Sequence, residues 1–130
     1  MKISFHGAAG TVTGSKHLLR LKNGPTILLD CGMFQGMGSD TSVMNEELGF
    51  EASQVDYVFL SHAHIDHSGL LPLLVKQGFS GRIFGSSGTL DMTEILLRDS
   101  AFIQSADARF LNKKRQPNQQ QEEPLYTLED

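Results

Sequence analysis

Three of the chain's five histidines fall within Ser61–Ser68, which reads Ser-His-Ala-His-Ile-Asp-His-Ser. In an extended segment side chains alternate in direction, so His62 and His64 reach towards one point on the same side. Asp66 and His67 follow where the chain must bend, and a bend turns them towards a neighbouring point. That arrangement suits two adjacent metal ions better than one. Imidazole with carboxylate is a borderline-to-hard donor set, which favours zinc, with manganese or iron as alternatives. The competing reading is a polar loop whose histidines gather by chance. It leaves unexplained why four ligand-type residues share six positions directly after an apolar strand.

Other residue types that could do chemistry are weaker candidates. Asp30 ends an apolar strand and opens a glycine-rich loop, where functional groups commonly sit. Beside a histidine cluster at the end of a later strand, its best role is to accept the free N–H of a metal-bound histidine. Gly7-Ala-Ala-Gly-Thr-Val-Thr-Gly-Ser15 is glycine-rich but lacks the lysine and the strand-to-helix context of a phosphate-binding P-loop. Cys31 has no adjacent base in sequence. His6 and His17 read as strand residues. Lys113, Lys114 and Arg115 read as a solvated helix end, favourable against the helix dipole.

The elements that must position these residues follow from periodicity. Lys2–Phe5, Val12–Leu21 and Thr26–Leu29 read as strands of an antiparallel meander, with Asn23-Gly24 as a hairpin signal. Residues 31–53 read as a long loop with one helical turn near Met44–Leu48. Val55–Leu60 is the cleanest buried strand and delivers the histidines. Ser68 is placed to cap a helix over Gly69–Gln77 that turns Leu70, Leu71, Leu74 and Val75 inward and stops at Gly78. Arg82–Phe84 is a further strand. Thr89 starts the longest helix, reaching Asn112, with an apolar stripe of Met92, Ile95, Leu96, Phe102, Ile103, Ala106 and Phe110 and with Asp99 at its edge. The domain reading is 1–112 as a partial domain, 113–124 as a flexible polar linker, and 125–130 as the start of a further element.

Composition narrows the function classes. At 130 residues the chain has the size of one domain. A formal charge of -4 is a poor overall footprint for gripping nucleic acid by bulk charge, so such binding needs a local groove. The single cysteine excludes an internal disulfide and fits a reducing cytoplasm. No signal peptide and no apolar run of the ~20 residues needed to span a bilayer is visible, so no membrane partner is expected.

Together these residues resemble the metallo-β-lactamase superfamily, whose signature is His-x-His-x-Asp-His after a strand, here His62-Ala-His64-Ile-Asp66-His67 preceded by Asp30. Gly14-Ser15, Leu29-Asp-Cys-Gly-Met-Phe-Gln-Gly36, Ser68-Gly-Leu-Leu-Pro72, Asp99-Ser-Ala101 and Leu125-Tyr-Thr127 resemble its β-CASP nuclease branch. The resemblance implies an α/β (α+β) fold in which this chain is the N-terminal αβ half of a four-layer αβ/βα sandwich. It also implies a di-zinc site at one edge and a β-CASP cap inserted later. It places His62 and His64 on the first zinc and Asp66 and His67 on the second, with Asp66 and His67 in the catalytic set and Asp30 as the orienting carboxylate behind them. A hydroxide bridging the two metals is then expected to attack phosphorus in RNA, with DNA the less expected substrate. The opening glycine-rich segment leans towards prokaryotic RNA-processing members.

Family members draw two further histidines and a bridging aspartate from motifs beyond this length, whereas no histidine follows His67 here. The expectation is therefore an N-terminal segment of a zinc-dependent ribonuclease, inactive alone. One alternative is a thioester or lactone hydrolase of the same superfamily. Another is a non-catalytic truncated module that pairs with a complementary C-terminal half or, as a homodimer, with a second copy. Its missing layer would leave Val55–Leu60 and the long helix's stripe uncovered.

Overall fold

Short strands with alternating exposure build one mixed sheet in a computed structural model that describes residues 1–116 and 118–130. The strands are β1 (Lys2–Phe5), β2 (His17–Arg20), β3 (Thr26–Leu29), β4 (Tyr57–Phe59) and β5 (Arg82–Phe84), adjacent in sequence order. β1, β2 and β3 pair antiparallel, as the meander reading requires, and Asn23 takes the left-handed conformation (φ 62°) in the turn between β2 and β3. β3, β4 and β5 pair parallel, so each needs a crossover connection. The first crossover carries α1 (Thr41–Glu46), and the second carries α2 (Ile65–Ser68) and α3 (Leu71–Lys76). The parallel β3–β4 pair brings the chain ends at Asp30 and Ser61 side by side.

One face of the sheet makes the core. Leu18, Leu28 and Val58 lie in register across β2, β3 and β4 and are fully buried, with Leu70, Leu71, Leu74, Phe79 and Tyr126 packed in the same cluster. The other face is apolar but open: Ile3, Phe5, Leu29, Tyr57, Phe59 and Phe84 are all exposed. Val55–Leu60 is therefore buried on one face only, with Val58 inward and its two neighbours outward.

The long helix, α4 (Ser87–Lys114), is capped by Ser86, whose Oγ accepts from the Thr89 backbone N–H at 3.2 Å. Its buried residues are Thr93, Ala101 and Ala108, while Met92, Ile95, Phe102, Ile103 and Phe110 of the sequence-predicted stripe face outward. Small residues let the helix approach this core closely, and the bulky stripe is left uncovered. The C-terminal segment docks on the same helix. The Tyr126 hydroxyl lies 2.9 Å from Ser100 Oγ, and the Leu125 N–H donates to Gln104 Oε1 at 3.1 Å.

Three local expectations change. β2 is shorter than read, because glycines with positive φ at Gly10 and Gly14 keep residues 10–14 out of the ladder. Ser68 caps nothing: helix starts earlier, at Ile65, and the buried Ser68 hydroxyl donates back to the Ala63 and His64 carbonyls. Val75 points outward, although Gly78 ends the turn with φ 105° as expected. In the stretch read as a linker, Pro117 lies outside the described residues. Asn112 bonds the Glu122 backbone through both its amide groups, and Arg115 reaches Gln120 and Glu122. Among the described residues, no helix is long and apolar enough to cross a membrane.

Candidate metal centre

The histidine stretch leaves β4 at Leu60 and folds straight into α2. His62 and His64 lie on the extended lead-in, and Asp66 and His67 lie on the first helical turn. The His62 ring centroid is 4.7 Å from that of His64 and 4.0 Å from that of His67. On the far side of His67, its Nε2 faces Asp66 Oδ2 at 3.6 Å. The four sequence-predicted ligands thus form one continuous patch. Among the described residues, no group of three or more His, Cys, Asp or Glu side chains is closed around a single ion position.

Asp30, at the end of β3, lies beside the histidines. Its carboxylate accepts from His67 Nδ1 at 2.8 Å, from the Ser61 N–H at 2.8 Å and from the Ser61 hydroxyl at 2.8 Å. It does so from a left-handed backbone (φ 58°), a conformation that aspartate tolerates better than most residues. With Nδ1–H committed to Asp30, a neutral His67 has its lone pair on Nε2, directed at an acceptor-only carboxylate. Two electron-rich atoms facing each other at that separation accommodate a cation between them. The residues therefore fit a divalent metal: Asp66 and His67 would hold one ion, and His62 and His64 would supply neutral imidazole donors beside it.

The loop after β3 clamps this stretch from behind. The Cys31 N–H donates to the His67 carbonyl, Met33 N–H to that of Ile65, and Leu70 N–H to that of Cys31, while Ser15 N–H donates to the Asp66 carbonyl. Lys16 anchors the clamp and was not identifiable from sequence, where a lysine in a strand reads as exposed. It is fully buried, its ammonium donates to the Gly32 carbonyl at 3.1 Å, and it lies 4.1 Å from the Phe34 ring centroid. Burial pulls its pKa from an ordinary 10.5 to about 8, with Cys31 acting in the opposite sense. Burial likewise pushes the Cys31 thiol up to about 12, which keeps it protonated and unreactive. His6 and His17 take structural places, edge-on to Phe50 and Phe5.

Comparison with known proteins converges on one family. A family model described as the metallo-beta-lactamase superfamily matches residues 11–88. The chain is 45% identical over 100 residues to "Ribonuclease TTHA0252" of Thermus thermophilus, covering 77% of this chain and 22% of that protein. It is 33% identical over 128 residues to "Endoribonuclease YSH1" of Candida glabrata, covering 95% of this chain and 15% of that protein. It is 36% identical over 100 residues to "Cleavage and polyadenylation specificity factor 73" of Drosophila melanogaster, covering 76% and 14%. The chain thus spans a quarter or less of these relatives. Among solved structures, a Cronobacter sakazakii metallo-beta-lactamase with a HARLDQ motif superposes with a TM-score of 0.52 at 22% identity, covering 75% of this chain and 33% of that one. The shared fold, the matched family model and the position of the His-x-His-x-Asp-His stretch at the end of β4 place this chain in the metallo-beta-lactamase superfamily.

Proposed function

We propose that the protein carrying this chain is a metal-dependent phosphodiesterase of the β-CASP type that hydrolyses RNA in the cytoplasm, with zinc as its metal. The observation that carries the proposal is the Asp30–His67 hydrogen bond of 2.8 Å, which directs His67 Nε2 at the Asp66 carboxylate. Zinc held there would supply Lewis acidity for a phosphodiester and make water acidic enough to act at neutral pH. The chain's own part is to hold His62, His64, Asp66 and His67 as donors, with Asp30 and Ser61 fixing their orientation. The ribonuclease names of the relatives favour RNA over DNA and over a thioester or lactone. In its full-length context the protein should cleave single-stranded RNA, lose this activity with a chelator and regain it with zinc. His64→Ala should fall to the level of a no-enzyme control. Undiminished cleavage by that variant would sink the reading.

A second proposal concerns the open side of the sheet. The exposed Phe5, Leu29, Phe59 and Phe84, which with His17 between the first two lie in one register row across all five strands, favour a partner layer over solvent. The partner we propose is the complementary αβ half of the sandwich. The 130-residue chain expressed alone should then self-associate in light scattering, and Phe59→Lys should reduce that association. A stable monodisperse monomer of the unmodified chain would argue against it.

A further inference from the structure

Ser61 touches the Asp30 carboxylate and two of the candidate ligands, His62 and His67. Its Oγ lies 2.8 Å from Asp30 Oδ2, 2.9 Å from His62 Nδ1 and 3.5 Å from His67 Nδ1. Its backbone N–H is committed to Asp30 Oδ1 at 2.8 Å. Counting hydrogens decides the rest. An ionised carboxylate only accepts, so the single hydroxyl hydrogen of Ser61 points to Asp30 Oδ2. Only lone pairs then remain on Ser61 Oγ for His62, and His62 must carry its hydrogen on Nδ1. Turning the hydroxyl to His62 instead would set two oxygen lone pairs against each other at 2.8 Å and cost a charge-assisted hydrogen bond. His67 needs no such relay, because its Nδ1 is 2.8 Å from Asp30 and only 3.5 Å from Ser61.

We infer that Ser61 is a positioning residue that relays the Asp30 carboxylate to His62, fixing His62 as the Nδ1–H tautomer and leaving Nε2 free as a metal donor. One carboxylate thereby sets the tautomer of two histidines, one directly and one through a hydroxyl. The inference deepens the metal-centre reading and rests on it for its purpose, but its geometry stands without an ion.

The test uses the full-length protein that carries this chain, metal-free and labelled with ¹⁵N-histidine, at a pH of about 8, above the ordinary imidazole range. Long-range ¹H–¹⁵N correlations report each ring's tautomer. His62 should be Nδ1–H in the wild type and in Ser61→Thr, and should shift towards Nε2–H in Ser61→Ala. His67 should stay Nδ1–H in all three, which also reports that Ser61→Ala is folded. Zinc affinity, measured by competition with a chromophoric chelator, should fall roughly 10–100-fold in Ser61→Ala and return in Ser61→Thr. If His62 remains Nδ1–H in folded Ser61→Ala, or is Nε2–H in the wild type, the inference is overturned. The wild-type spectrum decides alone if Ser61→Ala does not fold. Loss of the tautomer in Ser61→Ala without zinc binding by the wild type would support the relay and refute the metal reading.

Discussion

Gly32→Ala should unfold the chain or destabilise it by about 4 kcal/mol or more in urea denaturation, at the severe end for a single substitution. A Cβ at Gly32 would lie 1.7 Å from the Asp66 carbonyl oxygen, 2.2 Å from its carbon and 2.7 Å from the His67 nitrogen. All three are backbone atoms, so no side-chain rotation relieves the overlap. Moving the backbone would break the bonds that tie residues 15 and 31–33 to residues 65–70, including Ser15 N–H to Asp66 and Cys31 N–H to His67. The clamp and the ligands are thus one unit, and losing stability also displaces Asp66 and His67. Gly88→Ala is the control. It lies in the first turn of α4 with nothing within 4 Å of its added Cβ, and should be neutral or stabilising by about 0.5–1 kcal/mol. A Gly32→Ala variant within about 1 kcal/mol of wild type would show that the clamp is loose.

Asp30→Asn should leave the backbone intact and lower zinc affinity roughly 10–100-fold, with a stability loss of about 1–3 kcal/mol. Asparagine tolerates the left-handed conformation Asp30 adopts (φ 58°), so the substitution isolates the carboxylate's chemistry from its backbone role. An amide offers one acceptor oxygen where the carboxylate receives three hydrogen bonds, from His67, the Ser61 N–H and the Ser61 hydroxyl. Whichever way the amide turns, its NH₂ meets a donor or forces His67 to move its hydrogen to Nε2. That hydrogen would occupy the lone pair directed at Asp66, 3.6 Å away. Equilibrium competition for zinc and urea denaturation measure the two effects separately. Unchanged zinc affinity in Asp30→Asn would detach Asp30 from the site. Because Asp30 and Ser61 share the same hydrogen bonds, the double variant Asp30→Asn with Ser61→Ala should lose less affinity than the two single losses combined.

Most elements and the candidate ligands were legible in the sequence because both are local. Alternation and turn chemistry gave the meander, with Asn23 taking positive φ between β2 and β3, and gave β5 at its observed bounds. His62, His64, Asp66 and His67 share one short stretch, so residue type and spacing nominated them before any fold was known. Asp30 was nominated as well, as a strand-end carboxylate accompanying a histidine cluster at the end of a later strand, but the parallel β3–β4 pairing that sets the two ends side by side belongs to the fold.

Other features depended on what packs against what, which no local pattern records. The stripe of α4 is apolar at helical spacing, yet Ala101 and Ala108 face this core while Phe102 and Phe110 face away. Periodicity identifies a face and not its partner. Nothing in the local sequence marks Lys16, which the fold buries against Phe34 and Gly32. Ser61 was merely the residue before the histidines until the parallel register of β3 and β4 set it against Asp30. The sequence by itself nominated the residues proposed to bind a metal. Only the tertiary structure decided which of their hydrogens are already committed, because a tautomer is set by a neighbour's lone pair, and for His67 that neighbour, Asp30, lies 37 positions away.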